Sequence, residues 1–263
     1  MRYPAVIPLV IGLALGATPQ TGAAATLSAF AGVTITFTTP DGSNPVQIYT
    51  RQGITGIDDT EGDGITSGGS TQFAATPTGG PVFSTSNSVT AEATAIVEGE
   101  ATFLFDLVQR FTVARSLDAD REVTITLAPL DGLGGTLLQA FGQVTALGDI
   151  GAAFAIVTLG RTDFEGTLFS QSAFQNLVGT QPGDIVNEQS SLVPVSRTEL
   201  IPQREGGDPD ITFILNMRVQ VSAIAERPQI EPPPAGVIPL PPAAPLLALG
   251  LGMLVLLRRG LGR

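Results

Sequence analysis

The 263-residue chain has no cysteine, no histidine and no tryptophan, and none of its 13 basic residues is a lysine. Each absence removes a class of chemistry. Without His there is no Ser-His-Asp or Cys-His apparatus, and without Lys there is no Schiff-base nucleophile and no Ser-Lys pair. Without Cys there is neither a thiol nucleophile nor a disulfide framework, and a zinc site would have to be built from carboxylates alone. Sugar clefts usually present aromatic faces, yet Tyr49 is the one tyrosine beyond the N-terminal segment, and the phenylalanines fall mostly on the apolar parity of alternating runs, where core packing claims them. Paired carboxylates of the glycosidase kind need only two Asp or Glu side chains, but no spacing singles out a pair, and no Asp-Thr-Gly or Asp-Ser-Gly occurs. The cluster Gly132-Leu133-Gly134-Gly135 is not followed by the Lys-Ser/Thr of a phosphate loop and reads as a turn. The composition therefore points away from an enzyme.

The charge is lopsided. All 24 acidic residues lie between Asp41 and Glu231, and four arginines (Arg2, Arg258, Arg259 and Arg263) sit in the two ends, so the body holds 24 acids against 9 arginines, a net −15. Such a surface repels nucleic acid and anionic lipid and keeps a domain soluble.

The ends read as delivery signals. Arg2, an apolar run from Ala5 to Ala17 and the small residues Gly22 to Ala25 follow the order of a secretory signal peptide, residues 1–25, with Ala23 and Ala25 framing the cleavage site. At the other end a Pro-rich spacer, residues 229–237, precedes an uncharged stretch from Val237 to Leu257 and an arginine tail. At about 1.5 Å per residue that stretch is just long enough to cross a bilayer as one helix. Arg258, Arg259 and Arg263 would then act as the cytoplasmic stop, leaving the body outside.

The segment Ile238-Pro239-Leu240-Pro241-Pro242, the Leu/Ala/Gly-rich run behind it and the basic end together resemble the VPLPA variety of the PEP-CTERM sorting signals. Pro239, Leu240 and Pro241 fall on the family pattern, whereas Ile238 replaces its usual Val and Pro242 its usual Ala. The resemblance covers only residues 238–263. It implies recognition and cleavage by a membrane-embedded exosortase-type enzyme, after a single-pass inner-membrane intermediate. The body would then be released to the cell surface or the exopolysaccharide matrix, with surface polysaccharide as a partner.

Between the ends, residues 26–228 alternate with period two. Apolar side chains recur at every second position from Ile211 to Ala223, from Ala29 to Phe37, from Val89 to Val97, from Ala101 to Leu107, resuming at Phe111 and Val113, and at Val123, Ile125 and Leu127. Turn chemistry at Pro40-Asp41-Gly42, Glu98-Gly99-Glu100 and Leu130-Asp131-Gly132 separates them. Many short strands with one wet face predict an all-β body, an antiparallel β-sandwich or jelly-roll-like domain. Two exceptions are expected. The spacing of Phe164, Leu168 and Gln171 fits a helix over 163–178, and the Gly/Ser/Thr-rich stretch 53–81 reads as a long irregular loop.

That stretch contains the one constellation above background. Asp59, Glu61 and Asp63, with Gly64 at the sixth position, repeat the first half of a calcium loop, but the twelfth position is Ser70 and not Glu. Calcium is therefore the one candidate cofactor. The sequence supports an exported, non-enzymatic surface or matrix protein, with a calcium- or glycan-binding module as the alternative.

Overall fold

The alternation written into the body becomes strands that each bury one face. In the computed structural model the described residues are 24–75, 80–130, 136–144, 149–179, 183, 185–191 and 193–226. All belong to the first of two units, which ends at Pro228. Residues 1–23 of the segment expected to be a signal peptide, and the expected spacer and sorting tail, lie outside the described residues. The strands are β1 (Ala24–Thr38), β2 (Ile48–Ala75), β3 (Val82–Val113), β4 (Arg121–Pro129), β5 (Thr136–Val144), β6 (Ile150–Arg161), β7 (Phe164–Val178), β8 (Ile185–Ser191), β9 (Val195–Ile201) and β10 (Ile211–Ile224). Every pairing is antiparallel, in one sheet of order β7-β6-β10-β3-β1-β4-β9, with β2 on β3, β5 on β1 and β8 on β5.

The sheet curls because β3 bends. Its first half pairs with β1, from Thr38↔Val82 to Ala24↔Ile96, and its second half pairs with β10, from Ile224↔Glu100 to Ile211↔Val113. Between the halves Val97 and Glu98 sit at φ 33° and 63°, a region that a β-branched residue enters only under constraint from its surroundings. Strand β2 follows β3 around the corner and absorbs the turn in bulges between Thr55 and Ile57 and between Glu61 and Asp63. Two arms result, one of β7, β6, β10, the second half of β3 and the start of β2, the other of the end of β2, the first half of β3, β1 and the pairs β4-β9 and β5-β8.

The core between the arms is graded in side-chain size. Near the bend it is alanine and glycine: Ala25, Ala95, Ala101 and Ala223 are buried, and Gly151 opens the space filled by Leu27. Cα atoms of β1 come within 8 Å of those of β6 and β10, closer than the roughly 10 Å usual between packed sheets. Away from the bend Phe37, Phe83, Phe111 and Phe213 are enclosed, with Tyr49 against them. Phe111 lies 4.8 Å from Phe37, 5.2 Å from Tyr49 and 5.9 Å from Phe83, ring centre to ring centre. The core role expected for these phenylalanines is met. On the solvent side, Thr and Ser form cross-strand hydroxyl pairs, Thr34 with Ser86 at 2.8 Å and Thr126 with Ser196 at 3.1 Å, which accounts for much of the Ser/Thr content of these strands.

Three expectations are corrected. Residues 163–178 form no helix: Phe164–Val178 is an edge strand on β6. Most of the stretch 53–81 is not a loop but the bulk of the 28-residue β2, whose backbone groups are satisfied by the even longer β3. Glu98-Gly99-Glu100 does turn the chain but does not separate two strands: the runs on either side belong to one strand with a corner in it and pair with different partners.

Candidate functional site

On either side of the corner, beside the aromatic cluster, β2 carries polar residues at inward positions, Arg51 before the bend and Ser70 after it. Two residues of β3 join them: Asn87 and Gln109 stand at core parity and are fully buried. Their hydrogen bonds make one chain. The Asn87 amide nitrogen donates to Thr85 Oγ1 and Gln109 Oε1, each at 3.0 Å, and Tyr49 donates its hydroxyl to the same Gln109 oxygen at 3.2 Å. The Gln109 amide nitrogen in turn lies 3.6 Å from Met217 Sδ. Arg51, from the first half of β2, reaches across to the other arm, where Nε donates to Asn87 Oδ1 at 2.9 Å and Nη2 to Ser70 Oγ at 2.6 Å. Buried amides cost several kcal/mol unless bonded, on the order of 1–3 each by mutation, so this chain fixes both the spacing of the arms and the direction of the guanidinium. The site offers one immobilised positive charge flanked by hydroxyl and amide groups, a set suited to binding.

The acidic residues expected to bind calcium lie further along the same strand. Asp59, Glu61 and Asp63 are exposed and extended, with partners Thr102, Glu100 and Ile96 on β3. Alternate strand residues are about 6.6 Å apart, so the three are spread along β2 rather than wrapped round a point. Among the described residues no group of three acids is placed to hold a metal ion. Asp58 accepts a hydrogen bond from Thr66, and Ser70, the twelfth loop position, serves Arg51. Gly64, which suggested a calcium loop, and its neighbour Gly62 have another reason to be there. Gly62 takes φ 61°, and a Cβ on Gly64 would lie 2.0 Å from the Glu100 carbonyl oxygen. Of the remaining sequence-derived site residues, Ala25 is buried in β1 opposite Ala95. Ala23, Ile238 to Pro242, Arg258, Arg259 and Arg263 lie outside the described residues.

A second polar centre clamps one end of the fold. Arg161 is held to Asp163 by two hydrogen bonds of 2.5 and 2.8 Å and to Glu199 by one of 2.9 Å, with its guanidinium 5.9 Å from the centre of the Phe213 ring. Arg115 stands 3.9 Å from Asp163 and 3.8 Å from Asp208, and Asp210 accepts from the Arg115 amide and pairs with Arg204. The acids at 208 and 210 are thus tied to arginines. The Arg161 hydrogen bonds, reinforced by the charges of Arg161 and Arg115, hold the Asp163 carboxyl below the ordinary aspartate value of 3.8 against the opposing effect of burial. A depressed carboxylate adds stability above its unfolded pKa and loses it as pH falls through the lower folded value. Asp163→Asn is therefore expected to be less stable than the parent at neutral pH by about 1 kcal/mol, with the difference shrinking below pH 3.8. Urea melts at both pH values measure it.

Arg51, Asn87 and Gln109 were missed in the sequence, although a polar residue at core parity in an otherwise apolar strand is a readable signal. The chain matches no protein-family model and no curated protein. Among solved structures it has a likeness to the secreted serine protease VesC from Vibrio cholerae, at 6% identity and a TM-score of 0.17, over 74% of this chain and 46% of that one. The chain thus spans about half the length of that protease, and at this score the likeness carries no argument about fold or activity.

Proposed function

We propose that the chain is an exported, non-enzymatic surface or extracellular-matrix protein with a β-sandwich body. A signal peptide, residues 1–25, starts export, and an exosortase-type enzyme processes the tail at Ile238–Pro242. The observation that carries this reading is the tripartite C-terminus: a proline motif, an uncharged stretch of bilayer length and the arginines Arg258, Arg259 and Arg263. Helix-breaking prolines at the membrane entry expose backbone for a protease, a feature that a permanent anchor does not need. The body supports the reading by what it is made of: an acidic surface, no His, Lys or Cys, and Ser/Thr ladders on the outer face. Before cleavage the protein is a single-pass inner-membrane intermediate, and afterwards it resides at the cell surface or in the polysaccharide matrix.

Intact-mass spectrometry of the exported protein tests this. The expected species lacks the signal peptide and everything beyond the 238–242 motif. A mature form that still ends at Arg263 would reduce the tail to a plain anchor and remove the processing enzyme as a partner.

A further inference from the structure

Six of the described arginines, Arg115, Arg121, Arg161, Arg197, Arg204 and Arg218, have a carboxylate within 4 Å. Arg110 is exposed, so water carries its charge. Arg51 is different: it is half-buried between the arms, and among the described residues no carboxylate pairs with it. The acids of its own strand lie elsewhere along it. Asp58, Asp59, Glu61 and Asp63 follow on the same strand, yet Asp58 is bonded to Thr66 and the other three face solvent. A guanidinium has five N–H donors. Two are used, by Asn87 and Ser70, so three, including both on Nη1, have no hydrogen-bond acceptor among the described residues.

We infer that Arg51 is the anion contact of a binding site for a carboxylate carried on a polyhydroxylated ligand, the chemistry of a uronic acid residue in an acidic polysaccharide. Three observations carry the assignment. The fork is held in direction by Asn87, which is fully buried and itself fixed by Thr85 and Gln109, so its unused donors are preorganised and little ordering entropy remains to be lost on binding. A carboxylate matches one guanidinium in shape and charge, two oxygens facing two parallel N–H groups. The polar groups beside the fork are hydroxyls and an amide: Ser70 Oγ already faces Arg51, and exposed Gln72 reaches Thr85 only at 3.4 Å, leaving its carbonyl oxygen and one N–H for ligand hydroxyls. The assignment concerns the body alone and does not depend on how the tail is processed.

The test is calorimetric titration of the full chain in detergent with trigalacturonate, with a neutral galactose trisaccharide and with triglutamate. Saturable binding is expected for trigalacturonate only, weakened at least about tenfold by Arg51→Gln and unchanged by Arg110→Gln. No saturable signal up to about 10 mM trigalacturonate overturns the proposal, as does equal affinity in a folded Arg51→Gln variant. Equal affinity for triglutamate overturns the saccharide assignment. If Arg51→Gln fails to fold, the guanidinium Nε–H resonances of the parent protein decide: a shift confined to Arg51 on adding trigalacturonate supports the site, and its absence overturns it.

Discussion

Gly64→Ala is expected to destabilise the body by about 3 kcal/mol or more, and in a marginally stable domain that is enough to lower the yield of folded protein. The added Cβ would lie 2.0 Å from the Glu100 carbonyl oxygen and 2.9 Å from its carbon. Both are backbone atoms of the paired strand, so no rotamer change relieves the contact. Relief requires pulling β2 away from β3 at the corner, where Gly62 and the bend at Val97 and Glu98 already constrain the chain. Gly42→Ala is the control. That glycine also has a positive φ, 77°, but nothing lies within 4 Å of its missing Cβ, so only the left-handed backbone cost of about 1 kcal/mol applies. Urea denaturation of both variants separates steric overlap from conformational strain. Similar losses at the two positions would show that β2 does not approach β3 closely at the corner.

Phe111→Ala is expected to cost about 3–5 kcal/mol and to lower Tm by about 10 °C. Phe111 touches Phe37, Phe83 and Tyr49 and is fully enclosed, so truncation opens a cavity that three rings cannot jointly fill, and the edge-to-face contact with Phe83 and the stack on Tyr49 are lost along with burial. Phe174→Ala deletes the same group from the outer face of β7, where Phe174 is 51% exposed, and should shift stability by no more than about 0.5 kcal/mol. A thermal melt of each variant gives the comparison, and near-equal losses would mean that the aromatic end is not the thick part of the core.

The sequence exposed those parts of the fold in which one face alone is apolar. Residues 211–224 and 24–38 alternate cleanly because each strand has the core on one side and water on the other. The signal failed at β7 for a physical reason: Phe174 and Val178 are apolar on the outer face, beside Phe154 and Ile150 of β6, so apolar residues fall on both parities and mimic a helical spacing. It failed at β2 because a strand lying along the sheet edge needs no apolar alternation when its partner supplies the bulk. Gly53, Gly56 and Gly68 make room for Phe105, Leu104 and Phe103, so what looks like loop composition is one half of a packing arrangement whose other half is in β3. The corner at 97–99 was legible as a turn, but no local pattern reports that the flanking runs pair with different strands. The same limit applies to the site. Arg51 and Asn87 are 36 residues apart, and only the wrapped β2 brings them together.

Order along the chain and order across the sheet disagree in one place with a bearing on how the polypeptide is made. Strand β10 is the last in sequence, yet it occupies an interior position between β6 and β3, with partners such as Thr112 and Thr212 a hundred residues apart. A chain synthesised from its N-terminus therefore cannot complete this part of the sheet until residue 224 has left the ribosome. Non-local closures of this kind are slow. The arm that contains β10 therefore closes only after the strands on both sides of the gap have been made, whereas the pairs that β1 forms with β3, β4 and β5 need no residue beyond 144.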